Sequence, residues 1–129
     1  MSKLPHLILE TANFHGGDVE EIRKAISKFS ELNYGNIGIK FHAFKPDKVV
    51  LPDFSWYPVV KNFFINESHW ADIIQFSVEK DFKVWLDLFC VYGVEILEKN
   101  SNNIWGIKLQ PSILDNLEII DALEKLDLH

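Results

Sequence analysis

Cysteine is nearly absent from this sequence, since Cys90 is the only one among 129 residues. A single cysteine excludes an internal disulfide framework and any zinc site built on a Cys-x-x-Cys pair. Long apolar runs are absent too, because no stretch approaches the roughly 18 residues of a membrane span. The opening residues 1–6 lack the layout of a secretory signal. We therefore expect a cytoplasmic protein with no membrane partner.

Positive charge is also in deficit. Lys and Arg number 13 against 19 Asp and Glu, which gives a formal net charge of −6. That balance argues against nucleic acid as a partner, because nucleic-acid binding depends on basic surface. Hydrophobic residues make up 47% of the chain, as in ordinary globular domains. The length suits one domain of about 100–150 residues, and we expect residues 1–129 to form it.

Four units of one plan follow each other along the chain. Each is a short apolar run, a polar turn and a segment with the spacing of an amphipathic helix, which together predict an α/β fold with a parallel sheet. A complete (β/α)8 barrel takes about 250 residues, so the sequence predicts a (β/α)4 half of a TIM-type barrel. The long connection 43–65 is predicted to carry small elements of its own. The predicted strands are 7–9, 36–42, 83–89 and 104–109.

The helix ends carry recognisable capping residues. Asp18 is the predicted N-cap of the first helix, with Glu21 completing a capping box, and Gly35 is its predicted C-cap. Asn66 is the predicted N-cap of the second long helix. The last helix is expected to cover 113–126.

Each predicted strand has one apolar face, and its other face becomes polar toward the carboxyl end. Because side chains alternate along a strand, Glu10, Lys40, Asp87 and Lys108 lie on these polar faces. Parallel strands buried on both faces are normally apolar throughout, and an unpaired buried charge is costly. The four residues form either a structural ion-pair cluster, an exposed sheet face, or a ligand pocket at the carboxyl ends. Their coincidence across four strands favours the pocket.

A series of segments, in the same order, resembles the sialic acid synthase (N-acetylneuraminate synthase) family. Residues 8–20 resemble the family's first strand, which ends in Glu and continues into Asn-His and Gly-Asp. Residues 39–42, Ile-Lys-Phe-His, resemble its second strand, usually Lys-Phe-Gln. Further resembling segments are 51–54, 86–89, 107–112 and 115–117. The resemblance implies that this chain is the first half of the family's (β/α)8 catalytic barrel.

The family condenses phosphoenolpyruvate with an N-acyl mannosamine or related amino sugar to a nonulosonic acid, using manganese or magnesium. By resemblance, Lys40 and Lys108 would contact phosphoenolpyruvate, and Glu10 would meet the sugar or orient a neighbouring group. Those three residues are the expected catalytic set. The family's metal ligands are histidines on later strands, so no metal is expected from this chain alone. The expected substrate-binding residues are Asn13, His15, His42, Asp87, Gln110 and Ser112.

Two departures from the family pattern bear on the substrate. Asp87 stands where the family often has Ser or Thr, and a carboxylate there would repel an anion. Gln110 occupies a position where a small residue is usual, and Pro111 removes a backbone N–H beside it. These changes point to an altered substrate or a lost reaction.

Two functions stay open from the sequence. The first is a sialic-acid-synthase-like enzyme part, inactive alone because it lacks the C-terminal half-barrel. The second is a non-catalytic half-barrel that forms a homo-oligomer, because open strand edges favour pairing with another copy. Such a protein would serve in assembly or bind a sugar or phosphosugar.

Overall fold

Four parallel strands in sequential order form the sheet of this chain, as seen in a computed structural model that describes residues 7–126. Every neighbouring pair is parallel, and the sheet order is the chain order. This topology confirms the predicted α/β fold. The strands are β1 (Leu7–Glu10), β2 (Ile37–Ala43), β3 (Lys83–Leu88) and β4 (Ile104–Leu109).

Helices occupy the connections between the strands. Within residues 7–126, no helix is long and apolar enough to cross a membrane. The long connection after β2 contains one short α-helix and two 3-10 turns, Pro46–Lys48 and Lys61–Phe63, as its length predicted. The α-helices are α1 (Val19–Ser30), α2 (Tyr57–Val60), α3 (Glu67–Glu79), α4 (Val91–Lys99) and α5 (Leu117–Glu124).

The predicted N-cap of α1 is confirmed. The Asp18 carboxylate accepts hydrogen bonds from the backbone N–H groups of Glu20 (2.8 Å) and Glu21 (3.4 Å). The capping box is wrong, because the backbone N–H of Asp18 donates to the carbonyl of His15 (2.9 Å) and the Glu21 side chain pairs with Lys24.

The predicted C-terminus of α1 is wrong as well. The helix ends at Ser30 with Glu31 as its C-cap, so Gly35 lies outside it. The chain reverses through Asn33 and Asn36, which have φ values of 50° and 71°. Asparagine tolerates this left-handed conformation better than most residues, so the turn does not depend on glycine.

The last helix is shorter at its start than the spacing predicted. Residues Pro111–Ile113 form a 3-10 turn, and α5 begins only after the N-cap Asn116. The Asn116 side chain accepts a hydrogen bond from the backbone N–H of Glu118 at 3.1 Å. The second predicted N-cap, Asn66, is confirmed by its bond from the His69 N–H at 3.0 Å.

The hydrophobic core lies between the apolar face of the sheet and the helices. Ile39, Phe41, Val84 and Leu86 on the central strands are 0–1% exposed, and the Phe41 ring packs 5.8 Å from the ring of Trp70 on α3. These strand residues belong to the face predicted to be apolar.

The opposite face of the sheet divides into two layers. Trp85 of β3 fills the amino half of this face. A Cβ added at Gly38 would lie 3.2 Å from the Trp85 indole, and a Cβ added at Gly106 would lie 2.6 Å from it. A side chain at Gly106 would overlap this ring, and one at Gly38 would fit tightly against it. The carboxyl half carries the polar side chains instead, and there the candidate site lies.

Candidate functional site

Strand pairing brings the predicted charged residues side by side. Glu10 of β1 is the register partner of Lys40 on β2, and His42 of β2 is the partner of Asp87 on β3. Asp87 is in turn the partner of Lys108 on β4. The polar residues of four strands therefore meet in one layer at the carboxyl ends. We call these five residues, with Gln110, the polar cluster.

Asp87 is the centre of the polar cluster and is fully buried. Its Oδ2 accepts hydrogen bonds from Gln110 Nε2 at 2.6 Å and Lys108 Nζ at 3.0 Å. His42 Nε2 lies 3.5 Å and Lys40 Nζ 3.8 Å from the same oxygen. Four side-chain nitrogens thus surround one carboxylate oxygen. The other oxygen, Oδ1, is buried and has no hydrogen-bond partner among residues 7–126.

Glu10 forms the second anionic point of the cluster. Its Oε2 lies 2.5 Å from Lys40 Nζ, and its Oε1 lies 2.9 Å from His42 Nε2, although that imidazole contact is not aligned as a hydrogen bond. Burial acts to raise the pKa of Glu10. The bonds from Lys40 and the Ala12 N–H outweigh it and hold that pKa below its usual 4.5. Glu10 is thus a stable carboxylate.

Two imidazoles lie at this end of the sheet: that of His15 is buried, and that of His42 is 13% exposed. Burial lowers the pKa of His42, although the nearby carboxylates of Glu10 and Asp87 oppose it. Burial also lowers the pKa of His15, helped by repulsion from His42. Burial therefore favours the uncharged form of both rings. His15 Nδ1 accepts a 2.8 Å hydrogen bond from the N–H of Gly17, so its proton is on Nε2.

The cluster is balanced in charge. Two carboxylates face two ammonium groups, and both lysines are already engaged by carboxylates of the chain itself. The ion-pair interpretation of the sequence therefore describes the contacts seen. Catalytic roles for Glu10, Lys40 and Lys108 stay predictions, since no ligand contact tests them.

Several polar atoms of the predicted site residues have no hydrogen-bond partner. Among residues 7–126, six buried side-chain atoms have no hydrogen-bond partner. Two are tryptophan ring nitrogens, and the other four are Asn13 Oδ1, His15 Nε2, His42 Nε2 and Asp87 Oδ1. Buried polar atoms are normally paired in proteins. All four non-tryptophan atoms belong to residues predicted to bind substrate, so this end of the sheet has unused hydrogen-bonding capacity.

The remaining predicted residue lies apart. Ser112 is exposed in the turn after β4. By contrast, two residues that the sequence did not single out position the cluster. Thr11 is buried and donates its hydroxyl proton to the carbonyl of Lys40 at 2.8 Å, and the ring of Phe89 packs 4.9 Å from that of His42. In the sequence, only their positions could have indicated this role: Thr11 follows the first predicted strand, and Phe89 is the last residue of the third.

A divalent cation is a chemical possibility at this site. Ligand atoms of Glu10, His42 and Asp87 lie within 4.8 Å of one another, and carboxylate and imidazole are suitable ligands. However, the Lys40 ammonium lies against both carboxylates and already supplies the positive charge. Glu10, His42 and Asp87 can bind a cation only if the Lys40 side chain moves away from the two carboxylates. The expectation that this chain brings no metal of its own stays a prediction.

Together, a sequential parallel sheet and polar residues at its carboxyl ends define part of a TIM-type barrel. Solved structures share this fold. The chain superposes on N-acetylneuraminic acid (sialic acid) synthetase from Leptospira borgpetersenii serovar Hardjo-bovis, a structure in complex with citrate. The TM-score is 0.78 at 17% identity, over 94% of this chain and 41% of that one. The predicted half-barrel and its resemblance to the sialic acid synthases are confirmed at the level of fold.

Two spore coat polysaccharide biosynthesis proteins share the fold. Protein E from Chromobacterium violaceum gives a TM-score of 0.76 at 18% identity, over 94% of this chain and 38% of that one. The Bacillus subtilis protein gives 0.58 at 17% identity, over 84% and 30%. The chain thus spans about two fifths or less of the length of these structures. No protein family model matches the sequence, and no curated protein is significantly similar to it.

Proposed function

We propose that this chain is a sialic-acid-synthase-like half-barrel that binds a polyhydroxylated amino sugar at the carboxyl end of its sheet. The observation that carries the proposal is the set of buried polar atoms without a hydrogen-bond partner on Asn13, His15 and Asp87 among residues 7–126. His42 and Asp87 belong to a cluster whose own charges are balanced, which favours a neutral ligand.

Sugar hydroxyls suit this arrangement because each one both donates and accepts a hydrogen bond. The free oxygens of Asn13 and Asp87 are acceptors, and the Nε2–H of His15 is a donor. A ligand that presents neighbouring hydroxyl groups can satisfy donors and acceptors together. A purely anionic ligand would meet two carboxylates and no unengaged ammonium group.

The full reaction that the resemblance implies is condensation of phosphoenolpyruvate with an N-acyl mannosamine-type sugar. The likeness in fold to a protein named as a sialic acid synthetase supports this class of reaction. In our proposal Lys40, Lys108 and Glu10 act in that reaction only with the rest of a barrel and its manganese or magnesium. We expect the 129-residue polypeptide alone to show no turnover.

Titration with N-acetylmannosamine, followed by two-dimensional NMR, tests the proposal. We expect shifts at the carboxyl ends of the strands, and an affinity reduced about tenfold in Asn13→Ala, which removes an unpartnered acceptor. Asn102→Ala is the matched control, because Asn102 is exposed in the turn that precedes β4, at the other end of the sheet. Absence of sugar binding by the unaltered chain would overturn the proposal, and turnover with phosphoenolpyruvate and manganese would overturn the expected inactivity.

A second candidate is a half-barrel that pairs with another copy. Among residues 7–126, β1 and β4 each pair with one strand only, and Leu7 and Ile8 on β1 are 44% and 38% exposed. An open apolar edge is a template for pairing. Sedimentation at micromolar concentration should show a dimer that Ile8→Lys dissociates, with Leu51→Lys as control at another exposed apolar residue. A well-folded monomer would contradict it.

A further inference from the structure

We propose that, in this half-barrel alone, Asp87 is a built-in anion, which occupies an oxyanion-binding site of the sheet and closes it to dissolved phosphates and carboxylates. The inference concerns the site of the proposed function but does not depend on sugar binding. Phosphates and carboxylates are the ligands excluded from the unaltered site, and Asp87 is the residue that excludes them.

The convergence of donors on one atom is the first argument. Nitrogen atoms from β2, from β4 and from the residue after β4 lie at 2.6, 3.0, 3.5 and 3.8 Å from Asp87 Oδ2. Two of these nitrogens are lysine ammonium groups, Lys108 and Lys40, and a third is the amide of Gln110. Ammonium and amide donors gathered on one oxygen are the means by which proteins bind carboxylate and phosphate. Here the oxygen belongs to the chain.

Attachment to the chain gives this carboxylate an advantage over any dissolved anion. Asp87 loses no translational or rotational freedom when it takes the position, whereas a free ligand does. It is also fully buried, so an incoming anion must displace it rather than bind beside it. The Glu10 carboxylate, 2.5 Å from Lys40, adds repulsion on the same side.

An approach for a ligand nevertheless exists. The Lys108 side chain is 44% exposed, so one wall of the site reaches solvent. Removing the Asp87 carboxylate would leave these donors around a space that reaches solvent on the Lys108 side. A phosphate or formate ion should then take it.

The test compares phosphate binding by Asp87→Ser and by Asp72→Ser. Both variants lose one negative charge, but Asp72 is exposed on α3, away from the polar cluster. Calorimetric titration with inorganic phosphate at constant ionic strength should give a Kd at least about tenfold lower for Asp87→Ser than for Asp72→Ser or the unaltered chain. Lys108→Met in the Asp87→Ser background should remove this gain.

A folding measurement covers the case in which Asp87→Ser is unstable. Ligand that binds only the folded state raises its population, so phosphate or formate should restore the circular dichroism of that variant, while chloride should not. Equal phosphate affinity in Asp87→Ser and Asp72→Ser overturns the proposal, and so does an Asp87→Ser chain that stays unfolded in phosphate. Sugar binding by the unaltered chain is a separate measurement, so failure of one proposal does not entail failure of the other.

Discussion

The contact between Asp87 and Lys108 allows the strength of the polar cluster to be measured. A double-mutant cycle with Asp87→Asn, Lys108→Met and the double variant isolates the energy of this pair. Asparagine keeps the shape of the side chain and removes its charge. Methionine keeps most of the lysine chain and removes the ammonium group. The exposed pair Glu21–Lys24 on α1 serves as the reference cycle.

The expected size of the coupling energy between Asp87 and Lys108 depends on how far the two side chains are buried. The two cluster groups are 3.0 Å apart, with the Asp87 side chain 1% and the Lys108 side chain 44% exposed. Exposed ion pairs couple by about 0.2–1 kcal/mol, and breaking a fully buried pair costs about 3–5 kcal/mol. A half-exposed lysine lies between these limits, so we expect a coupling of about 1–2 kcal/mol. Glu21 and Lys24 are closer, at 2.6 Å, but 49% and 70% exposed, and we expect a smaller coupling there.

Urea unfolding followed by tryptophan fluorescence is a suitable assay, because the chain has four tryptophans and Trp70 is only 1% exposed in the core. The dependence of the unfolding free energy on urea should be the same in all variants, since the surface exposed on unfolding does not change. A coupling between Asp87 and Lys108 no larger than that between Glu21 and Lys24 would refute the reasoning.

Three further predictions address the imidazoles, the tryptophan layer and a buried hydroxyl. The native pKa values of His15 and His42 are lowered, so below about pH 7 the unfolded state binds more protons than the native state. The free energy of unfolding should therefore decrease as the pH is lowered. Urea midpoints should show a shallower fall in His15→Gln and His42→Gln, and an unchanged slope would contradict this. Gly106→Ala places a Cβ 2.6–2.8 Å from the Trp85 ring and should cost about 1–3 kcal/mol with an altered near-ultraviolet circular dichroism; an unaltered spectrum would argue against it. Tyr92→Phe removes a 2.8 Å hydrogen bond to a backbone carbonyl, made by a hydroxyl whose pKa burial raises to about 12, and should cost about 1 kcal/mol in urea unfolding; equal stability would contradict that bond's role.

The location of the polar cluster could be predicted from the sequence because two simple regularities suffice. Side chains alternate along a strand, which put Lys40 and His42 on one face of β2. Parallel strands present their carboxyl ends at the same edge, which brought Glu10, Asp87 and Lys108 to that edge. Neither step needs knowledge of the packing of individual side chains.

The pairing within the cluster could not be predicted, because it depends on an irregularity of the sheet. Val84 pairs with Ile104 and Trp85 with Gly106, so Trp105 is an extra residue on β4. Without this bulge Asp87 would oppose residue 107. With it, the carboxylate lies opposite Lys108 and is enclosed by donors. A bulge of one residue leaves no clear mark in a six-residue apolar run.

The two layers of the polar face bear on whether folding requires the charges of the polar cluster. The amino half of this face is filled by Trp85 over Gly38 and Gly106, which is an apolar solution to the packing of a half-barrel interior. Apolar side chains could fill the carboxyl half in the same way, because well-packed apolar residues are often as stabilising as a buried ion pair. The fold therefore does not require Asp87 to be charged. Its buried, unpartnered second oxygen costs stability, and a ligand hydroxyl in that position would offset the cost.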